Sequence, residues 1–331
     1  MELQPIYKER AMYSETRLGE LMKLIGKIPV ISQYEDLTIF VAGSFARHEA
    51  SGYSDIDIFL LCKEERENLP KAHTCELSLS GSLIDIVDTM SFPELSNDCQ
   101  YLKILYSPRM LKYIGSPMDD HENYFTARML LLLESKCLFG DPIYNDITKE
   151  IINSYFRDYS DHEKTFQPIF LVNDICRFWK TLLMNYEYKR NVSADDKAKK
   201  TKEKVRNFKL KFSRMTTCFA SIASLCSYRI PVTEEQVIEQ THLIPRERLE
   251  NIPSRVPQAE EAVQEVLDRY AFFLEKTGLS TDELESHFSD KTKRTEMFRV
   301  AKNYGDSMFR LLKTLDNLQD DDSKFLRYLV I

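Results

Sequence analysis

The sequence predicts an α+β protein in which a small mixed sheet near the N-terminus is followed by a mostly helical region. Two short apolar runs, Leu37–Ala42 and Ile56–Leu61, have the length of buried strands and are separated by a polar loop. Beyond about residue 150, apolar residues recur every three or four positions, which is the period of amphipathic helices. Strands and helices segregated in this way along a chain are typical of the α+β class.

Two carboxylates lie one residue apart where the second apolar run begins. On an extended chain Asp55 and Asp57 point to one side, while Ile56 points to the other, towards the core. Like charges on one side of a strand repel each other unless a cation lies between them. Mg²⁺ is the natural candidate, because it binds one or two carboxylates together with substrate phosphates.

The loop between the two runs supports a phosphate-binding role. The chain has only 9 glycines in 331 residues, yet Gly43 and Gly52 bracket this loop. Glycine allows a ligand to approach the backbone closely, and Ser44 adds a hydroxyl and an N–H that can bind phosphate oxygens. A hairpin turn with a solvated acidic strand is the simpler alternative, which the flanking apolar residues disfavour. We interpret Arg47, in the same loop, as an exposed cation, with a phosphate contact as the alternative.

An apolar strand, Gly43-Ser44, ten further residues and then Asp55-x-Asp57 on the next strand resemble the nucleotidyltransferase superfamily with its polymerase-beta-like palm. The resemblance covers roughly the first 140 residues. It implies an enzyme that moves a nucleoside monophosphate from a nucleoside triphosphate such as ATP to a hydroxyl and releases pyrophosphate. It further implies that the catalytic residues Asp55 and Asp57 hold one Mg²⁺ ion and share a second with a third carboxylate, with Mn²⁺ as the alternative metal. Gly43 and Ser44 would bind the nucleotide.

The superfamily places a third carboxylate on a later strand. Gly81–Thr89 is the only other strand-like run that carries acidic residues, and we predict a strand there. Asp85 stands between Ile84 and Ile86, so on an alternating strand it lies opposite two core residues. We therefore expect Asp85 to be the third catalytic and metal-binding residue, with Asp88 at the strand end as the alternative. In the superfamily this residue helps the attacking hydroxyl to lose its proton.

A second resemblance concerns Thr126–Asp141. This leucine-rich stretch, which continues into Glu134-Ser135-Lys136 and Gly140-Asp141, resembles the segment after the palm in protein uridylyltransferases of nitrogen signalling. It predicts a helix that packs under the active site without a catalytic role, and it favours a protein acceptor. Those enzymes are much longer and carry hydrolase and sensing domains with His-Asp pairs. Here the 6 histidines are scattered, so only the transferase core is carried over.

We predict two domains, a palm with an N-terminal helix at 1–145 and a helical domain at 146–331 that closes over the nucleotide. Helical stripes occupy Asn173–Tyr188 and Phe208–Tyr228. Later helices begin at capping boxes, Thr233-x-x-Gln236 and Ser280-x-x-Glu283.

Positive charge is concentrated in the helical half. Between residues 188 and 214 eleven Lys and Arg stand against three acidic residues, although the whole chain has a net charge of −7. Lys209, Lys211 and Arg214 begin an apolar helix, and we expect them to supply cations to the triphosphate. A solvated, lysine-rich helix face is the alternative. The overall acidity argues against a large nucleic-acid partner.

The cysteines and the apolar runs bear on the cellular compartment, and several acceptors suit the predicted core. The 7 cysteines form no Cys-x-x-Cys pair and no apolar run is long enough for a bilayer, which favours a reduced, cytoplasmic protein without a membrane partner. A small-molecule alcohol or an RNA end would suit the same core. Two further alternatives remain open: a cyclic or linear oligonucleotide second-messenger synthase, and an inactive nucleotide-binding regulator or toxin-system partner.

Overall fold

The computed structural model describes residues 3–65, 70–93, 95, 99, 102–192, 197–319 and 325–330. It contains two compact units, one formed by Glu9–Ser154 and the other by Met1–Lys8 with Tyr155–Ile331. The first unit holds the sheet, and the described residues of the second form helices and connecting segments without a strand. The α+β prediction of a small sheet followed by a helical region is therefore confirmed.

The sheet of the first unit has four strands. They are β1 (Leu37–Ala42), β2 (Asp57–Cys62), β3 (Ile104–Tyr106) and β4 (Ser135–Phe139), in the spatial order β3-β2-β1-β4. Strand β1 runs antiparallel to both β2 and β4, whereas β2 and β3 are parallel. The sheet is thus mixed, and the strand that precedes the Gly43-Ser44 turn lies in its interior.

Seven helices accompany the sheet within the described residues: α1 (Pro5–Ile25), α2 (Gly43–Ala46), α3 (Ala72–Thr89), α4 (Ser107–Lys112), α5 (Pro117–His121), α6 (Tyr124–Leu133) and α7 (Asp141–Asn153). The first residues of α1 belong to the other compact unit. Helix α6 is the predicted leucine-rich helix, and nine of its ten residues are buried.

Each face of the sheet is covered by apolar side chains. One face, which includes Val41, Ile58 and Leu60, packs in a single core with Leu83 and Val87 of α3. The residues that alternate with these along each strand point to the opposite face, because successive side chains of a strand lie on opposite sides of the sheet.

Aromatic rings fill the second face. Phe40 stacks on Phe59 with ring centroids 5.1 Å apart, and Tyr144 of α7 lies 6.4 Å from Phe40. Helix α7 therefore packs with the sheet. The first compact unit extends to Ser154 and so includes α7, while the domain bounds 1–145 and 146–331 stay a prediction.

The prediction of a strand at Gly81–Thr89 is wrong. These residues form the second half of α3, in which Leu79, Leu83 and Val87 are buried at four-residue intervals. The run Ile84-Asp85-Ile86 imitates strand alternation over three residues. The helical period over the longer window outweighs it, because that period gives α3 a continuous face to bury against the sheet.

The second unit is built from α8 (Ile169–Val192), α9 (Lys197–Lys209), α10 (Met215–Cys226), α11 (Glu234–Thr241), α12 (Pro245–Glu250), α13 (Ile252–Arg255), α14 (Glu260–Lys276), α15 (Thr281–Ser289), α16 (Lys291–Asn317) and α17 (Phe325–Val330). A π-helical turn at Leu210–Arg214 joins α9 to α10. Phe212 of this turn stacks on Phe273 and Tyr304, with centroids 5.1 and 4.6 Å away.

Both predicted capping boxes are formed. Thr233 Oγ1 accepts the backbone N–H of Gln236 at 3.3 Å, and Ser280 Oγ accepts that of Glu283 at 3.3 Å. In the part of the chain that the structure describes, no helix is both long enough and apolar enough to cross a bilayer.

Candidate active site

The Gly43-Ser44 turn follows directly on the buried strand β1. Gly43 has φ +76°, a left-handed conformation that only glycine adopts without strain. The chain then makes the single helical turn α2. The backbone N–H of Arg47 donates to the carbonyl oxygen of Gly43 at 3.0 Å, and that of Glu49 donates to Ser44 at 2.8 Å. The backbone between residues 43 and 49 is therefore folded tightly on itself.

Gly43 and Asp57 lie side by side. Ala42 at the end of β1 pairs with Asp57 at the start of β2, and a Cβ built on Gly43 would stand 3.2 Å from Asp57 Oδ2. Apart from the two chain neighbours and the backbone of α2, no other heavy atom of the described residues lies within 4 Å of that position. The missing side chain of Gly43 thus leaves space directly in front of a carboxylate oxygen.

Asp55 precedes β2. Its side chain is exposed, that of Asp57 is half-buried, and Ile56 between them is fully buried. A turn stabilised by Ser51 and Ser54 leads into this segment, because the N–H of Ser51 donates to Ser54 Oγ and the N–H of Ser54 to the Ser51 carbonyl, both at 3.0 Å. Two carboxylates and an open position beside one of them are a donor set that fits a hard divalent cation such as Mg²⁺.

An ion-pair network under the turn was not anticipated from the sequence. Arg47, interpreted above as exposed, is only 5% exposed and donates from Nε to Glu49 Oε2 at 2.8 Å. Its guanidinium also pairs with Glu134, which is 2% exposed and directly follows α6. The Arg47–Glu49 pair is close in sequence and could have been suspected. Glu134 lies 87 residues away, and no local pattern connects it to Arg47.

The structure removes the reason for choosing Asp85. Asp85 and Asp88 are exposed residues of α3, and α3 packs on the sheet face that carries Ile58 and Leu60. Asp57 has the opposite strand parity and therefore points to the other face. Over the described residues, no group of three or more His, Cys, Asp or Glu side chains is arranged to hold a metal ion. The predicted trio with Asp85 is not assembled.

The three expected cations belong to the second unit and have different surroundings. Lys209, at the end of α9, is exposed. The Lys211 ammonium lies 5.7 Å from the ring centroid of Phe298, a cation–π contact within the helical unit. Arg214 ends the π-helical turn and is half-buried. Their role towards a nucleotide stays a prediction.

Strands β1 to β3 and the Gly43-Ser44 turn lie in the part of the chain that matches a known family model. Residues 22–106 match the family model described as a nucleotidyltransferase domain. The match begins within α1, includes Gly43, Ser44, Asp55 and Asp57, and ends with β3. The chain therefore carries the domain of the nucleotidyltransferase superfamily and is an enzyme that transfers nucleotidyl groups. No curated protein matches the chain.

Proposed function

We propose that this chain is a Mg²⁺-dependent nucleotidyltransferase that moves a nucleoside monophosphate from a nucleoside triphosphate to a hydroxyl group, and that the acceptor is a protein. The contact that carries the proposal is between Gly43 and Asp57, where a Cβ would stand 3.2 Å from the carboxylate oxygen. A turn that must keep this position free of side-chain atoms is suited to a ligand between backbone and carboxylate.

Asp55 and Asp57 are the residues that would hold Mg²⁺, or Mn²⁺ in its place. When bound, the metal neutralises phosphate charge and lowers the pKa of a coordinated hydroxyl. Carboxylate oxygens suit both ions, since hard cations prefer oxygen ligands. Asp85 has no part in this proposal, because it lies on the helix that covers the other face of the sheet.

The remaining residues bind and orient the triphosphate. The Ser44 side chain is half-buried at the start of α2, where its hydroxyl and the backbone N–H groups of the turn are the donors for phosphate oxygens. Because the turn is closed by the Arg47 and Glu49 amides, these donors are ordered before the nucleotide arrives. Phosphoryl chemistry of this kind depends mainly on positioning and charge stabilisation, so the protein needs no nucleophile of its own.

We assign Lys209, Lys211 and Arg214 to the phosphate charge of the bound nucleotide, as the charge distribution of the sequence suggests. Replacement of Lys209 and Arg214 by Ala then raises the nucleotide KM severalfold. Lys202 offers a matched control, since it is an exposed lysine of the same helix, α9, and keeps KM unchanged when replaced by Ala. Equal KM values for all the variants would refute the assignment of Lys209 and Arg214 to the nucleotide.

The function is tested by incubating the purified chain with each α-labelled nucleoside triphosphate and Mg²⁺, alone and with cell lysate. We expect label on protein when lysate is present, and none after chelation of the metal. Asp57→Asn should lower transfer at least about a thousandfold, because the carboxylate charge is lost where phosphate charge must be balanced. Asp146→Asn, at an exposed acid of the same unit, should keep full activity.

Two outcomes contradict the proposal in different ways. Transfer by Asp57→Asn at the rate of the unmodified chain would refute the site. Label found in nucleotide products without lysate would keep the chemistry and replace the protein acceptor by a second nucleotide.

A further inference from the structure

Three charged side chains meet beneath the Gly43-Ser44 turn. Arg47, Glu49 and Glu134 are 5%, 8% and 2% exposed. Both carboxylates bind the one guanidinium, Glu49 to its Nε and Glu134 to another of its nitrogens. Burial of charges costs free energy even when the charges are paired. Apolar residues of similar volume often stabilise a fold as much as a buried ion pair does, or more. A network of this kind next to a substrate site therefore suggests a positional role.

The network connects the turn to both of its neighbouring segments. Arg47 and Glu49 close the turn through their own amides, which donate to Gly43 and Ser44. Glu134 directly precedes Ser135, the first residue of β4, and Ser135 pairs with Ala42, the residue before Gly43. The guanidinium thus ties the C-terminal end of the turn to the strand that flanks its N-terminal end.

We infer that Glu134 is a positioning residue, which acts through Arg47 to hold the Gly43-Ser44 turn in the conformation that receives the triphosphate. The nucleotide part of this inference rests on the proposed function. The fixation of the turn by Glu134 does not, because it can be measured on the protein alone. Without the Glu134 charge, the buried Arg47 guanidinium loses the carboxylate that connects it to the residue before β4. The loop then relaxes towards solvent, and the phosphate donors of the turn lose their preset positions.

The chain contains a matched control for ion-pair burial. Arg128 and Asp119 form a bidentate pair with both side chains fully buried, and its two contacts measure 2.8 Å. This pair joins α5 to α6, the same helix that Glu134 follows. Asp119 also accepts the backbone N–H of Gly115 at 3.3 Å. Asp119→Asn therefore reports the effect of removing a buried carboxylate charge from a different ion pair of the same unit.

The experiment compares Glu134→Gln with Asp119→Asn in the full chain, below the unfolding temperature of both. Amide hydrogen exchange of peptides covering residues 43–50 should be at least about tenfold faster in Glu134→Gln and unchanged in Asp119→Asn. The Kd for a non-hydrolysable nucleoside triphosphate with Mg²⁺ should rise about tenfold, and kcat/KM should fall about ten- to a hundredfold, as for misplacement of a substrate-positioning group. Asp119→Asn should change both by less than about twofold.

Unchanged exchange at 43–50 in Glu134→Gln, or equal effects of the two variants on nucleotide affinity, would overturn the inference. Should Glu134→Gln fail to fold, Glu49→Gln replaces it, since this carboxylate lies nearer the surface and binds the same guanidinium. Exchange and affinity are measured without turnover. An inactive unmodified chain would therefore refute the proposed function and leave these two measurements to decide on Glu134.

Discussion

Replacement of Gly43 by Ala tests the site at its closest contact. Gly43 has φ +76°, and a left-handed conformation costs a non-glycine residue about 1–2 kcal/mol. The added Cβ would also stand 3.2 Å from Asp57 Oδ2, closer than ordinary van der Waals contact. Since that oxygen ends a side chain, the carboxylate can move by a few tenths of an ångström. We expect the stability loss to stay near the backbone cost, while the metal-binding oxygen is displaced.

Two other glycines share this backbone conformation and serve as controls. Gly115 also has φ +76°, and apart from its two chain neighbours no heavy atom of the described residues lies within 4 Å of its added Cβ. Gly115→Ala therefore carries the backbone cost alone. Gly140 has φ +77°, but its Cβ would stand 2.3 Å from the carbonyl oxygen of Leu37. Because that neighbour is backbone in β1, Gly140→Ala should destabilise the unit far more than the other two variants.

The assay measures thermal unfolding and nucleotidyl transfer on the three variants. Gly43→Ala and Gly115→Ala should each lower the melting temperature by about 2–4 °C per kcal/mol lost. Transfer should fall about ten- to a hundredfold in Gly43→Ala only, as for a misplaced catalytic group. Full transfer activity in Gly43→Ala would refute the idea that the space before Asp57 receives a ligand. An equal loss in Gly115→Ala would attribute the effect to backbone strain.

Two further predictions concern residues outside the turn. Asp85→Asn should keep transfer within about twofold and change the unfolding free energy by less than about 0.5 kcal/mol, because Asp85 is an exposed residue of α3; a large loss of activity would return it to the metal site. Burial raises the pKa of the Cys137 thiol to about 12. The folded state therefore holds this proton more tightly than the unfolded chain, whose thiol has a pKa of about 8.5. The stabilising contribution of the protonated thiol is complete below about pH 8.5 and is lost as the pH rises towards the folded-state pKa. Cys137→Ala should therefore make the alkaline decline in the free energy of urea unfolding less steep. An unchanged decline would contradict the assignment.

The centre of the fold was predictable because its signals are short-range. An apolar run, a glycine and a second apolar run with alternating carboxylates give two strands and a turn, and β1, Gly43 and β2 occur as expected. The same alternation rule was wrong at Ile84-Asp85-Ile86. There three residues imitate a strand, whereas the burial of Leu79, Leu83 and Val87 needs a helix. Short windows cannot separate the two periods, and tertiary packing decides between them.

The support of the site was not predictable for a different reason. An arginine in a polar loop is usually exposed. Arg47 is instead buried, and it pairs there with Glu134, which lies 87 residues further along the chain. Such a pair exists only after the sheet has brought β4 next to β1. Arg47 belongs to the loop after Gly43-Ser44, and Glu134 belongs to the leucine-rich stretch Thr126–Asp141. Neither motif carries information about the distance between the two side chains.

Strand register links these observations. Ala42 pairs with Asp57 on one side and with Ser135 on the other, so the two ends of the site are set by one residue of the central strand. A slip of β2 by one residue would place Ile58 opposite Ala42 and turn the Asp57 side chain towards the core, since side chains alternate. Ile58 and Leu60, buried against α3, oppose that slip. The apolar residues of β2 therefore fix the position of its carboxylate, and the geometry of the site depends on the core as much as on the turn.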